Sequence, residues 1–431
     1  HRYFVDGPLA VSAKKLTPNK NILVGSLGRG GKGLYALDVT TPATFDGSKA
    51  LWEVSGSDDD MGFITSRPII TKANNGSTVV IVSNGLNSTN DDPALFIYDL
   101  FTGTRLAKLL PIEKGGNDVF DNNGLSAATG VDQDVDGDVD YMYAGDMKGN
   151  VWKFDLSDNN PNNWEVANND YPLYSAKDST GTITQSISGG IAIGFDAEFN
   201  PWLYFGTGRY LTAGDPSTTS VQTWYGIVDE STNTTIAGRG ALKARKIVAA
   251  GELDNGSGTG VKVRAFEPQE FPSGVSDMYG KKGWYIDLVN PPFTAAQKVG
   301  ERIVGTPVVR GTTVLVSSII PSEDPCTVEG SGYVNAVDAL TGSSGVYGSE
   351  SYFDVNGGGF ANDKLVSTID GREVSIGSID LGIKMPTDAL VLAGDTNELV
   401  VVGGSIGGTG SAPFRGTRAV QILVGLLLLI G

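Results

Sequence analysis

The chain has 431 residues, a formal net charge of −17, 59 glycines, one histidine and one cysteine. The acidic balance excludes a nucleic-acid partner, because no basic surface is on hand to neutralise a run of phosphates. His1 stands at the extreme end and Cys326 is single, which excludes Ser-His-Asp and Cys-His catalysis, an internal disulfide framework and a cysteine-rich zinc site.

Short apolar runs alternate with Gly, Asn, Asp, Ser and Thr from end to end, the texture of an all-β protein with many turns. The first run, Arg2-Tyr3-Phe4-Val5, reads as a strand. No secretion signal precedes it, as expected of a fragment whose targeting segment lies upstream. Residues 28–33 match G-x-G-x-x-G, but residues 34–39 read as a strand, so no helix N-terminus follows to hold phosphate. The segment is read as a glycine-rich loop between strands. Asp58-Asp59-Asp60 and Asn90-Asp91-Asp92 lack alternate spacing and are read as solvated loops.

The strongest local signal is Asp132-Gln133-Asp134-Val135-Asp136-Gly137-Asp138-Val139-Asp140. Carboxylates at alternate positions with a glycine at the sixth reproduce the ligand order of a calcium loop. Like charges packed so closely repel unless a divalent cation neutralises them. Tyr143 occupies the place of the usual closing glutamate, and residues 140–145 have strand character. The reading is therefore a short Ca²⁺ loop inside a β-hairpin. Asp132, Asp134, Asp136 and Asp140 offer side-chain oxygens and Asp138 its backbone carbonyl, with a dissociation constant of about 10⁻⁴ M or somewhat tighter. An acidic, solvated turn is the alternative.

An aromatic-rich strand ending in aspartate recurs along the chain. It appears at residues 34–39, 95–100 and 151–156, then more loosely at 224–229, 284–288 and 334–339. Its aspartates are separated by 51 to 74 residues, a single long period that predicts a β-propeller of about seven blades. Asp99 and Asp338 each open an Asp-x-x-Thr-Gly turn toward an outer strand. The expected domain spans residues 1–415. The apolar tail at 416–431, too short to span a bilayer, is expected to be a closing or partner-facing strand. Cys326 has no activating neighbour in sequence and is expected to be inert or to pair outside the fragment.

Several stretches resemble the PilY/PilC family of type IV pilus tip-associated proteins, in its C-terminal propeller domain. They are His1-Arg2-Tyr3-Phe4-Val5-Asp6-Gly7, residues 33–40, residues 141–156, Phe205-Gly206-Thr207-Gly208-Arg209-Tyr210-Leu211, residues 283–288 and Gly300-Glu301-Arg302. The resemblance implies a modified seven-bladed, quinoprotein-like propeller, secreted and located at the pilus tip of a Gram-negative-type cell. It implies minor pilins as partners, host or abiotic surfaces as targets, and roles in pilus assembly, extension–retraction balance, twitching motility and adhesion. It also implies Ca²⁺ at Asp132, Asp134, Asp136, Asp138 and Asp140. The adhesive N-terminal region of the family is absent, and the leucine-rich end departs from the family's pattern. Two rivals remain at this stage: a pyrroloquinoline quinone-dependent dehydrogenase, and a scaffold that calcium only stabilises.

Overall fold

The computed structural model describes residues 4–111, 123–322, 330–393 and 398–416. Cys326, the tail beyond Gly416 and residues 1–3 lie outside the described residues. The expected N-terminal strand is not seen in its described part, where Phe4 and Val5 form a bend. The Cα packing divides the chain into two units. One runs to Ala176 and takes in Asn233–Thr235; the other spans Lys177–Thr232 and continues from Ile236.

The first unit holds three antiparallel sheets, each made from consecutive strands. The first contains β1 (Leu9–Val11), β2 (Ile22–Ser26), β3 (Gly33–Asp38) and β4 (Ala50–Ser55) in that order. The second contains β5 (Ile69–Lys72), β6 (Thr78–Ser83), β7 (Leu95–Asp99) and β8 (Arg105–Leu109). The third orders β9 (Thr129–Val131), β10 (Tyr141–Gly145), β11 (Asn150–Asp155) and β12 (Glu165–Val166), and β13 (Tyr174–Ser175) also pairs with β11. Residues 28–33 form the loop between β2 and β3, with a single 3₁₀ turn and no helix behind it.

The second unit is less regular. One sheet contains β14 (Ala192–Phe195), β15 (Pro201–Gly206), β16 (Thr223–Val228), β17 (Lys243–Arg245) and β20 (Gly283–Asp287), in the order β14-β15-β16-β20-β17. A second combines β18 (Ile247–Asp254), β19 (Gly260–Phe266), β21 (Val308–Arg310), β22 (Thr313–Ile320), β23 (Ser331–Asp338) and β26 (Ser378–Ile379). β24 (Lys364–Val366) pairs with β25 (Glu373–Ser375), and a last sheet holds β27 (Leu390–Ala393), β28 (Glu398–Gly403) and β29 (Thr409–Phe414). Two copies of the recurring phrase, on β16 and β20, are thus neighbours in one sheet. Sequence spacing had placed them in successive blades. The insertion between them supplies β17, β18 and β19, which the period could not reveal.

The predicted Asp-x-x-Thr-Gly turns are present and share one design. Asp99 accepts the Thr102 N–H at 2.8 Å, and Gly103 (φ +69°) lies flat on the Trp52 ring, whose Nε1 donates to the Leu100 carbonyl at 2.8 Å. Asp338 likewise accepts the Thr341 N–H at 2.9 Å, with Gly342 (φ +65°) on Trp284. Any β-carbon at either glycine would penetrate the indole.

Candidate metal centre

The 132–140 loop joins β9 to β10, and both of its ends are fixed. Asp140 N–H donates to the Val131 carbonyl at 2.8 Å, and the Asp140 carbonyl accepts from Leu156 N–H at 2.7 Å. Val139, fully buried, plugs a core shared with Val79, Ile81 and Ile97 of the second sheet and Trp152 and Phe154 of the third. Alternation explains this placement: the valine points inward while its two flanking aspartates turn toward the loop and its neighbours.

The turn itself requires left-handed backbone. Gly137 has φ +97°, as the glycine at the sixth position predicts, and Val135 has φ +67°. A β-branched residue in that region is strained, and Val135 is exposed, so the geometry of the turn and not packing of its side chain imposes the conformation.

Asp132, Asp134 and Asp136 come together, each with a carboxylate oxygen within 4.8 Å of the others. Asp132 is buried and accepts the N–H of Asp136 at 3.1 Å and of Gly137 at 2.8 Å. Asp136 accepts the Asp138 N–H at 2.8 Å. The carboxylates of Asp138 and Asp140 are not part of that group. Asp138 turns to Lys72, with Nζ at 2.8 and 3.0 Å, so its carbonyl is the oxygen left to offer an ion. Asp140 accepts Gln133 N–H at 2.7 Å and Asp134 N–H at 3.4 Å on one oxygen, and the Asn74 amide at 3.1 Å on the other. Burial pushes the Asp140 carboxyl above the ordinary aspartate value, against those hydrogen bonds, and the charge of Asp134 adds to the rise. The donor set is all oxygen and acidic, which fits a hard cation such as Ca²⁺ and not a thiolate- or imidazole-seeking metal.

Two participants come from the end of β5 and the turn after it and were invisible in sequence. The backbone and side chain of Lys72 both reach the loop: its carbonyl accepts Val139 N–H at 2.9 Å while its ammonium pairs with Asp138. The Asn74 amide donates to the Val139 carbonyl at 3.0 Å, to Asp140 and to the Leu156 carbonyl at 3.1 Å. Both stand more than sixty residues from their partners, so no local pattern could flag them.

The other acidic runs are not simply solvated. Asp60 is buried and pairs with Lys108 at 2.7 Å, and Asn90 donates to it at 2.7 Å. Asp58 pairs with Lys108 at 3.1 Å and with Arg105. These carboxylates already have cationic partners, which is a structural use of the charge.

The sequence profile of the PilY1 β-propeller domain matches residues 1–256, more than half of the chain. The chain belongs to the PilY1 β-propeller family. A type IV pilus biogenesis factor PilY1 homologue of Xylella fastidiosa is 37% identical over 357 residues, covering 80% of this chain and 23% of that protein. Type IV pilus biogenesis factor PilY1 of Pseudomonas aeruginosa is 32% identical over 370 residues, 79% of this chain and 31% of that protein. The chain therefore spans about a quarter to a third of the length of these curated relatives. The crystal structure of the P. aeruginosa PilY1 C-terminal domain superposes with a TM-score of 0.74 at 27% identity, covering 92% of this chain and 80% of that one. The all-β propeller class expected from the recurring phrase is thus the fold of this family member. Among the described residues no helix is long and apolar enough to cross a membrane.

Proposed function

We propose that this chain is the calcium-binding, non-enzymatic propeller of a type IV pilus tip-associated protein. In this reading it works outside the cell with minor pilins, in pilus assembly and the balance of extension and retraction. Twitching motility and adhesion to surfaces follow from that balance. The observation that carries the reading is the convergence of Asp132, Asp134 and Asp136 in a PilY1-family chain.

Ca²⁺ would be held by those three carboxylates, the Asp138 carbonyl and Asp140, and it would supply the positive charge the cluster lacks. The chain's own residues do the rest. Val139 anchors the loop in the core, Asn74 ties it to β11 and to the neighbouring sheet, and Lys72 keeps the Asp138 carboxylate out of the cluster. A pilin-binding surface beside the loop would be ordered when the aspartates stop repelling one another.

Calcium calorimetry on the chain, beside an Asp134→Ala, Asp136→Ala variant, tests the site. Both residues are exposed, so the variant is expected to fold. The parent should show a binding event that the variant lacks. The same substitutions, placed in the full-length protein of a piliated strain, should reduce surface pili and twitching zones. Loss of calcium with normal pili and twitching would leave the ion a purely structural role; no calcium uptake at this loop would overturn the reading.

A further inference from the structure

A second loop holds a buried carboxylate oxygen that has no hydrogen-bond partner among the described residues. It runs Asp354-Val355-Asn356-Gly357-Gly358-Gly359-Phe360-Ala361-Asn362-Asp363, ahead of β24. Its base is closed by Ser351, whose N–H donates to the Phe360 carbonyl at 2.8 Å and whose hydroxyl donates to the Asp363 carbonyl. Asp354 accepts the N–H groups of Gly357 at 2.8 Å and Gly359 at 3.1 Å, and Asn356 accepts that of Gly358 at 2.7 Å. Gly357 and Gly359 have positive φ, so the backbone folds back over these side chains.

Asp363 is 1% exposed. Its Oδ2 accepts the Val355 N–H at 3.2 Å, which ties the carboxylate to the start of the loop, one residue along the chain from Asp354. Its Oδ1 has no hydrogen-bond partner among the described residues. The neighbouring Lys364 lends it some charge but no hydrogen bond, because that ammonium is bound to the Ser349 carbonyl and, at 2.7 Å, to the Ser375 hydroxyl. A buried carboxylate oxygen with no partner is costly unless a proton or a cation neutralises it. Burial, with the charge of Asp354 adding to it, holds the carboxyl above its ordinary value against the hydrogen bond from Val355 and the charge of Lys364, so a proton is the competing occupant.

We propose that Asp363, Asp354 and Asn356 form a second cation site, one that takes a hard divalent cation of the calcium class. Every available donor is oxygen, which excludes soft metals. A glycine-rich loop with only two carboxylates suits the larger, geometrically tolerant ion over magnesium. The Asp-x-Asn start repeats the alternate spacing of the first loop, but with too few acids to stand out in sequence.

The test uses the chain already carrying Asp134→Ala and Asp136→Ala, titrated with CaCl₂ by calorimetry and followed by thermal melts. One binding event and a calcium-dependent rise in Tm should remain. Adding Asp363→Asn should abolish both, and adding Asn356→Ala, at an exposed position, should weaken binding about tenfold, the equivalent of one lost ligand. The idea is overturned if the Asp134/Asp136 variant takes up no calcium at roughly 10 mM, well above the extracellular-module range. It is equally overturned if Asp363→Asn raises Tm by the same amount with and without calcium, which would make Asp363 a protonated, purely structural acid. Either result leaves the first loop untouched, since its calcium is read separately in the parent chain.

Discussion

Strand β10 carries an acidic turn at each end, and the two turns neutralise their charge differently. At the Gly145 end, Asp146 is fully buried and accepts five hydrogen bonds. Two come from the N–H groups of Lys148 and Asn150, at 3.0 and 2.8 Å, and three from the side chains of Asn150, Trp152 and Asn123, at 3.0, 2.8 and 3.2 Å. Burial raises its carboxyl above the ordinary value, against the hydrogen bonds that favour the charged form. At the Tyr141 end, three carboxylates crowd within 4.8 Å and, among the described residues, receive only backbone N–H groups. One turn has more donors than a single carboxylate needs; the other has a shortage of positive charge. That shortage, rather than acidity alone, marks the place for an ion.

The comparison can be broken most forcefully from the donor-rich side. Asp146→Ala leaves the Trp152 indole and two amides without an acceptor in the core, so unfolding in urea should show a loss of about 3 kcal/mol or more. The acidic loop should respond to chelation instead. With calcium at about a hundred times the dissociation constant of this loop, adding chelator should cost the parent about 2.7 kcal/mol more than it costs Asp134→Ala, Asp136→Ala. Val135→Asn should stabilise the chain by about 1 kcal/mol, because asparagine tolerates the φ that valine resists. A denaturant midpoint that falls instead would show Val135 to be held by packing.

The smallest effect is expected at the Lys72–Asp138 pair. Lys72 is nearly half exposed, so Lys72→Met should cost from nothing to about 1 kcal/mol. Its hydrogen bond to Asp138 raises the lysine above 10.5 in the folded chain. The pair's contribution is therefore complete below that value and lost as the pH climbs through the raised folded value. Wild type and variant should converge in stability under strongly alkaline conditions, measured by isothermal denaturation.

The legible parts of this molecule are those encoded within a few residues. The Asp132–Gly137 spacing brought Asp132, Asp134 and Asp136 together, but Asp140, expected as a fourth side-chain ligand, turns to Asn74 and to the N–H groups of Gln133 and Asp134. The Asp-Leu-x-Thr-Gly phrase foretold the turn at Asp99. The Asp146-x-x-x-Asn150-x-Trp152 spacing recurs at Asp196, Asn200 and Trp202, where Asp196 accepts from the same two side chains. It was available to sequence reasoning and was missed because a satisfied structural acid looks like any other loop aspartate. What lay beyond reach was long-range: Asn74 on the metal loop, Lys108 on Asp58 and Asp60, and β16 beside β20. Those pairings are decided by packing between distant segments, for which local periodicity carries no information.

The Asp132–Asp140 loop also contains its own reporters. The N–H groups of Gln133, Asp136, Gly137 and Asp138 each donate to a carboxylate of the cluster or to Asp140. Any shift of electron density on those oxygens is felt by a proton on the main chain. With the Asp134 N–H, which also donates to Asp140, backbone amide resonances along the loop thus form a built-in gauge, able to register its occupancy oxygen by oxygen without a label being added to the protein.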